Sequence, residues 1–178
     1  NILVETVTET ELNEPDGFRD LELDVAVCLP YELQADPDID VIPLVRRPLR
    51  FVVSADHPLA DKQKLNPKDL AGEKIFVLQL TRFRNTSDRV SQEWLMSGID
   101  TSQLIEVDDF DDILILASSG LGVGALPYYL TDTRNSRFVV LDLDGMAPYA
   151  DLALAYLRDS QNPALQLFLE VVQEMRKE

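Results

Sequence analysis

The sequence predicts an α/β fold built on small, largely parallel sheets. Strand-like apolar runs of a few residues alternate with helix-like stretches through most of the chain, the order that places helices against parallel strands. The strands are short and their connections polar, which suits small sheets better than one large one. The third observation is the stretch from Asp108 to Pro127. Carboxylates at Asp108, Asp109, Asp111 and Asp112 suit the first turn of a helix. The unbroken apolar run Ile113 to Ala117 continues that helix. Gly120 supplies the usual stop, because it takes positive φ without a Cβ clash. Gly122 to Leu126 then reads as a buried strand of small residues, ended by Pro127.

The other elements follow in chain order. Ile2 to Thr8 alternates as a half-buried strand, with Thr6 and Thr8 on one side. Pro15-Asp16-Gly17 is a turn signal within the polar stretch Glu11 to Leu21. Leu23 to Leu29 is a short strand, Tyr31 to Asp40 a loop, and Val41 to Arg47 and Leu49 to Ser54 two further strands. Asn66 to Gly72 has the pattern of a capped single helical turn with its stop. Ile75 to Leu78 is a buried strand, and Thr81 to Ser87 a polar loop carrying Arg82 and Arg84. Asp88 to Ser97 is a helix burying Val90, Trp94 and Leu95, with Gly98 as its stop. Leu104 to Val107 is a strand, Tyr128 to Thr133 a short helix, and Phe138 to Leu143 and Leu152 to Leu157 are strands. In the final helix, Pro163 to Lys177, one apolar face holds Leu165, Phe168, Leu169, Val172 and Met175.

Charge and composition exclude several functions. With 32 acidic and 16 basic residues the net charge is −16, and such a surface repels phosphate backbones. No apolar run approaches the roughly 20 residues that span a bilayer. Asn1 to Glu14 lacks the basic flank and apolar core of a signal peptide, so a cytoplasmic protein without a membrane partner is expected. One Cys and one His rule out the usual zinc sets, and Cys28 is expected to be a buried structural thiol. Asp36, Asp38 and Asp40 have the spacing that opens a calcium loop. Val41 stands where a glycine is needed, however, and Arg47 where the bidentate Glu belongs.

No catalytic set assembles. His57 has no nucleophile or orienting acid assigned to it and is expected to be structural or solvent-facing. Gly120, Gly122 and Ala125 match the dinucleotide fingerprint in letters but close a helix and enter a strand, the reverse of what that fingerprint requires. Ser118 and Ser119 lack the glycine of a nucleophile elbow. No cofactor and no metal are expected, and the protein reads as a non-enzyme. The loop Thr81 to Ser87 is more informative. It sets two guanidinium groups and several amide and hydroxyl side chains between a buried strand and a helix N-terminus, a combination that favours a carboxylate or phosphate. A solvated basic loop offsetting an acidic surface is the other reading.

Four segments together resemble the effector-binding domain of LysR-type transcriptional regulators. They are Leu23-Asp24-Val25-Ala26-Val27, Ser54-Ala55-Asp56-His57-Pro58-Leu59-Ala60, Asp69-Leu70-Ala71, and above all Ala117 to Pro127. The resemblance implies two Rossmann-like lobes joined by two crossover strands, as in type II periplasmic binding proteins. The crossings would fall near Phe51 to Ala55 and near Tyr149 to Leu152. The first lobe would hold residues 1–54 and 150–178, without the family's first strand and helix, and the second 55–149. The resemblance also implies a small-molecule effector in the cleft between lobes; the Arg-bearing loop makes an organic acid or other anion the expected kind. Position by position, the implied contacts are Thr8, Gln79, Thr81, Arg82, Asn85 and Thr86. It implies further a homo-oligomer, dimer or tetramer, whose DNA contacts come from a helix-turn-helix domain not in this chain. A solute-binding protein of a transporter shares the two-lobed plan and is the alternative.

Overall fold

The computed structural model describes residues 16, 19, 23–79, 84–131 and 137–175. They form two compact units, one reaching to Arg46 and resuming at Asp151, the other running from Arg47 to Ala150. The chain therefore passes from one unit to the other twice.

In the first unit, β1 (Ala26–Cys28) pairs antiparallel with β9 (Tyr149–Leu157), Val27 opposite Leu154. The sheet order is β1-β9-β2, where β2 is Ile39–Pro48. Between β1 and β2, where a loop was expected, Pro30–Leu33 forms one helical turn, α1, with Pro at its start. Proline lacks the N–H that an opening turn leaves unpaired, so it fits there. Leu33 is fully buried among Ala26, Cys28, Ile39 and Ala155. Asp16 and Arg19 are helical despite the turn signal around them. The Arg19 guanidinium donates to both Asp36 oxygens at 2.8 Å, and that of Arg158 to Asp40 at 2.8 Å. Asp36 and Asp40 are thus committed to ion pairs. The unit's long helix, Pro163–Met175, packs Leu165 and Leu169 onto Leu154. Met175, expected on that buried face, is 72% exposed in the helix's last turn.

The second unit is a six-stranded sheet of order β4-β8-β3-β7-β5-β6. Its strands are β3 (Arg50–Ser54), β4 (Lys64–Leu65), β5 (Ile75–Leu78), β6 (Leu104–Val107), β7 (Val123–Leu126) and β8 (Phe138–Leu143). The sheet is more mixed than the sequence suggests. β5 runs parallel to β6 and β7, whereas β3 is antiparallel to both its neighbours, β7 and β8. Phe51, Val52 and Val53, expected at a crossing, are fully buried in the middle of this sheet. They are apolar because both faces of a central strand are covered.

Two helices cover the sheet. The first, α2 (Arg84–Ser97), buries Trp94, which meets Phe51 edge-on at 6.2 Å. The second, α3 (Phe110–Ser118), buries Ile113 and Ala117 against Val52, Phe76 and Leu126. Gly124, at the centre of β7, lets α3 approach. A Cβ there would lie 2.6 Å from Ile113 Cγ2 and 2.7 Å from Val52 Cγ2. Gly120 ends α3 at φ 76°, the left-handed conformation that glycine takes without strain. Asn66 and Asp69 form a reciprocal capping box on the short helix Pro67–Leu70.

Candidate functional site

The candidate site is the carboxyl edge of the parallel strands in the second unit. In parallel α/β sheets that edge is where ligands bind, because helix N-termini and loops converge there. β5 and β6 pair in register up to Leu78 opposite Val107. The Gln79 N–H continues the ladder to the Val107 carbonyl at 2.8 Å, and its side chain is exposed. On the other side of β5, Phe76 pairs with Gly124. β5 and β7 run parallel, so Gln79 and Pro127, each just past the end of its strand, leave the sheet at the same edge.

Two long helices begin at this edge, and their electrostatics differ. α3 is already served: the Asp109 carboxylate accepts from the Asp112 N–H at 2.8 Å, with Asp111 and Asp112 in the first turn. An anion there would meet three carboxylates. α2 has no acidic residue in its first turn, so its partial positive end is not neutralised by its own sequence. It starts at Arg84, four residues earlier than the sequence suggests. Asn85 and Thr86 therefore lie in the first helical turn and not in a loop.

α2 is held in place by a contact that sequence reading missed. Val90 and Trp94 face the core, but Leu95 is 66% exposed and the buried neighbour is Glu93. The Glu93 carboxylate accepts from the Tyr149 N–H at 2.8 Å and forms an ion pair with Arg89, Nε to Oε1 3.1 Å. Glu93 and Trp94 share a face with Val90 at helical spacing, whereas Leu95 is turned away. Glu93 stands between Gln92 and Trp94, and nothing adjacent in the sequence marks it as the buried neighbour.

The edge continues past β7. Arg50 pairs with Leu126 in antiparallel register, so the residues before Arg50 and those after Leu126 leave the sheet on the same side. The chain turns at Pro127 into a single helical turn, α4 (Tyr128–Thr131). The Arg47 guanidinium lies 5.9 Å from the centre of the Tyr128 ring. Tyr129 meets Tyr128 edge-on, with ring centres 5.7 Å apart at 83°. Burial, and then the neighbouring Tyr128, push the Tyr129 hydroxyl above its ordinary pKa.

Of the residues expected to contact an effector, the structure places Gln79 at this edge and Asn85 and Thr86 in the opening turn of α2. Thr8, Thr81 and Arg82 lie outside the described residues. Other groups have settled structural roles. His57 is partly buried, accepting at Nδ1 from the Leu59 N–H at 3.2 Å, with Nε2 3.6 Å from Glu73. Cys28 is buried, and burial pushes its thiol up to about 12, so it is no nucleophile at neutral pH. Among the described residues no group of three His, Cys, Asp or Glu side chains could hold a metal ion. No described helix is long and apolar enough to cross a membrane.

Comparison with known proteins agrees with this architecture. The family model described as the LysR substrate binding domain matches residues 2–177. The Hca operon transcriptional activator HcaR of Escherichia coli K12 is 27% identical over 175 residues, covering 97% of this chain and 57% of that protein. The chain thus spans little more than half the length of that relative. The effector-binding domain of QuiR in complex with shikimate superposes with a TM-score of 0.70 at 21% identity, covering 89% of this chain and 74% of that one. The BenM effector-binding domain with its effector benzoate gives a TM-score of 0.70 at 20% identity, covering 90% and 72%. Two α/β units joined by two crossings define a domain of the type II periplasmic-binding-protein class. Within that class, this chain belongs to the LysR substrate binding domain family.

Proposed function

We propose that this chain is the effector-sensing domain of a LysR-type transcriptional regulator. It binds a small organic acid or related anion and transmits that event to a DNA-binding domain in sequence outside this chain. The family match across residues 2–177 carries the reading. The chemistry of the carboxyl edge supports it. The opening turn of α2 carries no acid of its own, and Gln79, Thr81, Arg82, Asn85 and Thr86 supply the donors an anion needs. Thr8 is proposed as a further contact on the family resemblance alone.

The domain binds and releases its effector unchanged, without turnover. The full regulator is a cytoplasmic homo-oligomer, dimer or tetramer. Its operator contacts lie outside a domain whose charge of −16 repels DNA. An effector shifts regulation only by binding one arrangement of the regulator more tightly than another. The transporter solute-binding reading shares the fold, but the curated relatives HcaR and MetR are transcriptional regulators.

Thermal unfolding against a panel of small organic acids and phosphates tests the binding step. A ligand at 100 times its Kd adds about 2.7 kcal/mol, a rise of about 5–10 °C for a chain of this size. A rise that Arg82→Ala abolishes supports the reading. A rise that Arg82→Ala leaves intact removes the loop from the site.

A further inference from the structure

We infer that Arg47, Tyr128 and Tyr129 form a cation–aromatic corner that recognises the ring and carboxylate of an aromatic acid. The inference rests on the effector-binding reading above and names the chemical class of the ligand.

Arg47 is unusual among the arginines of so acidic a chain. Arg19, Arg46, Arg50, Arg89 and Arg158 each hold a carboxylate partner. Among the described residues Arg47 has none, and lies instead over the Tyr128 ring. A guanidinium resting on a ring keeps the N–H donors at its edge available, and their fork matches the two oxygens of a carboxylate. Simple charge balance would have paired this arginine, given twice as many acidic as basic residues.

The two tyrosines add the ring-recognising half. They follow Pro127 on a single helical turn, perpendicular to each other, and remain 37% and 39% exposed. The turn is held from within: Thr131 Oγ1 donates to the Tyr128 carbonyl at 2.6 Å. The backbone that carries both rings is therefore braced. Perpendicular rings leave an angle that accepts a third ring face-on to one and edge-on to the other, the two favoured aromatic geometries. An aliphatic acid of the same charge would gain the ion pair but not the ring contacts. Strand direction puts the corner at the same sheet edge as Gln79.

The test is equilibrium titration of the full-length protein with two probes of equal charge and similar size, benzoate and cyclohexanecarboxylate. The wild-type protein is expected to bind benzoate with about a 5–10-fold preference. Tyr128→Leu should bring that ratio close to one, while Tyr128→Phe keeps it because the ring face remains. Arg47→Gln should weaken both probes by about 10-fold or more. Its melting temperature should stay within about 1 °C of wild type, as expected for an exposed side chain. If benzoate binds but neither Arg47→Gln nor Tyr128→Leu changes its Kd or the ratio, the corner is not the site, and effector sensing stands without it. If neither probe binds at millimolar concentration, the aromatic-acid inference falls. Binding of other acids in the thermal panel would then decide whether the broader reading survives.

Discussion

Replacing Gly124 by Ala adds one methyl at the tightest point between α3 and the second sheet. The new Cβ would sit 2.6 Å from Ile113 Cγ2, 2.7 Å from Val52 Cγ2 and 3.3 Å from Ala117 Cβ. Carbon atoms prefer about 3.5–4.0 Å, so the first two contacts must each open by roughly an ångström. Ile113 and Val52 are fully buried and have little room to yield. Overpacking of this kind costs about 1–3 kcal/mol. Part of that is offset by the lower entropy of an unfolded chain with Ala in place of Gly, about 0.4–1 kcal/mol. The expected net loss is about 1–2 kcal/mol, lowering Tm by about 2–8 °C. Thermal unfolding followed by circular dichroism measures it. The mechanism is tested by the double variant with Val52→Ala, which removes the crowded Cγ2. The two changes should compensate by at least about 0.5 kcal/mol. Strict additivity, or a Gly124→Ala protein at least as stable as wild type, would refute the packing argument.

Other consequences can be read separately. Glu93→Ala leaves the Tyr149 N–H without its acceptor and should cost about 1–3 kcal/mol in urea unfolding, with faster amide exchange at Tyr149. Asp151, nearly buried, accepts from Tyr31 Oη and from Arg46 Nη1. Asp151→Ala should destabilise by about 1–2 kcal/mol, moderated because the Arg46 side chain is half exposed. Hydrogen bonds from Arg19 and the Asn66 N–H hold the carboxyls of Asp36 and Asp69 below their ordinary 3.8. Their stabilisation is therefore present above about pH 4 and lost as pH falls further; unfolding midpoints from pH 6 to 2 should show the decline, and Asp69→Asn should make it shallower. Burial raises Cys28 to about 12. Iodoacetamide should accordingly leave it unmodified in the folded protein at pH 8 and label it on unfolding.

What could be read from the sequence was local. The succession from Asp108 to Pro127 is legible because each piece acts on its neighbours. Asp109 caps the next turn, Gly120 takes the positive φ, and small residues follow where α3 presses on β7. The antiparallel placement of β3 between β7 and β8 was not legible. Phe51, Val52 and Val53 announce burial on both faces, which a parallel or an antiparallel neighbour satisfies equally well. The same limit affected α2. Helical spacing admits Leu95 as readily as Glu93 when Trp94 is the anchor, and only the approach of Tyr149 selects Glu93. At the site, Gln79 could be found because it ends a strand recognisable by itself. Arg47 and Tyr128 are brought together by the pairing of β3 with β7, and nothing adjacent to either residue in sequence signals the other.

The most direct test of effector sensing is the affinity of the full-length regulator for its operator, with and without a ligand found by thermal shift. Operator affinity should change by about 5–150-fold at saturating ligand, the range of ordinary allosteric coupling, and Arg82→Ala should remove that change at the same ligand concentration. A ligand that binds this domain tightly yet leaves operator affinity unchanged would rule out effector sensing.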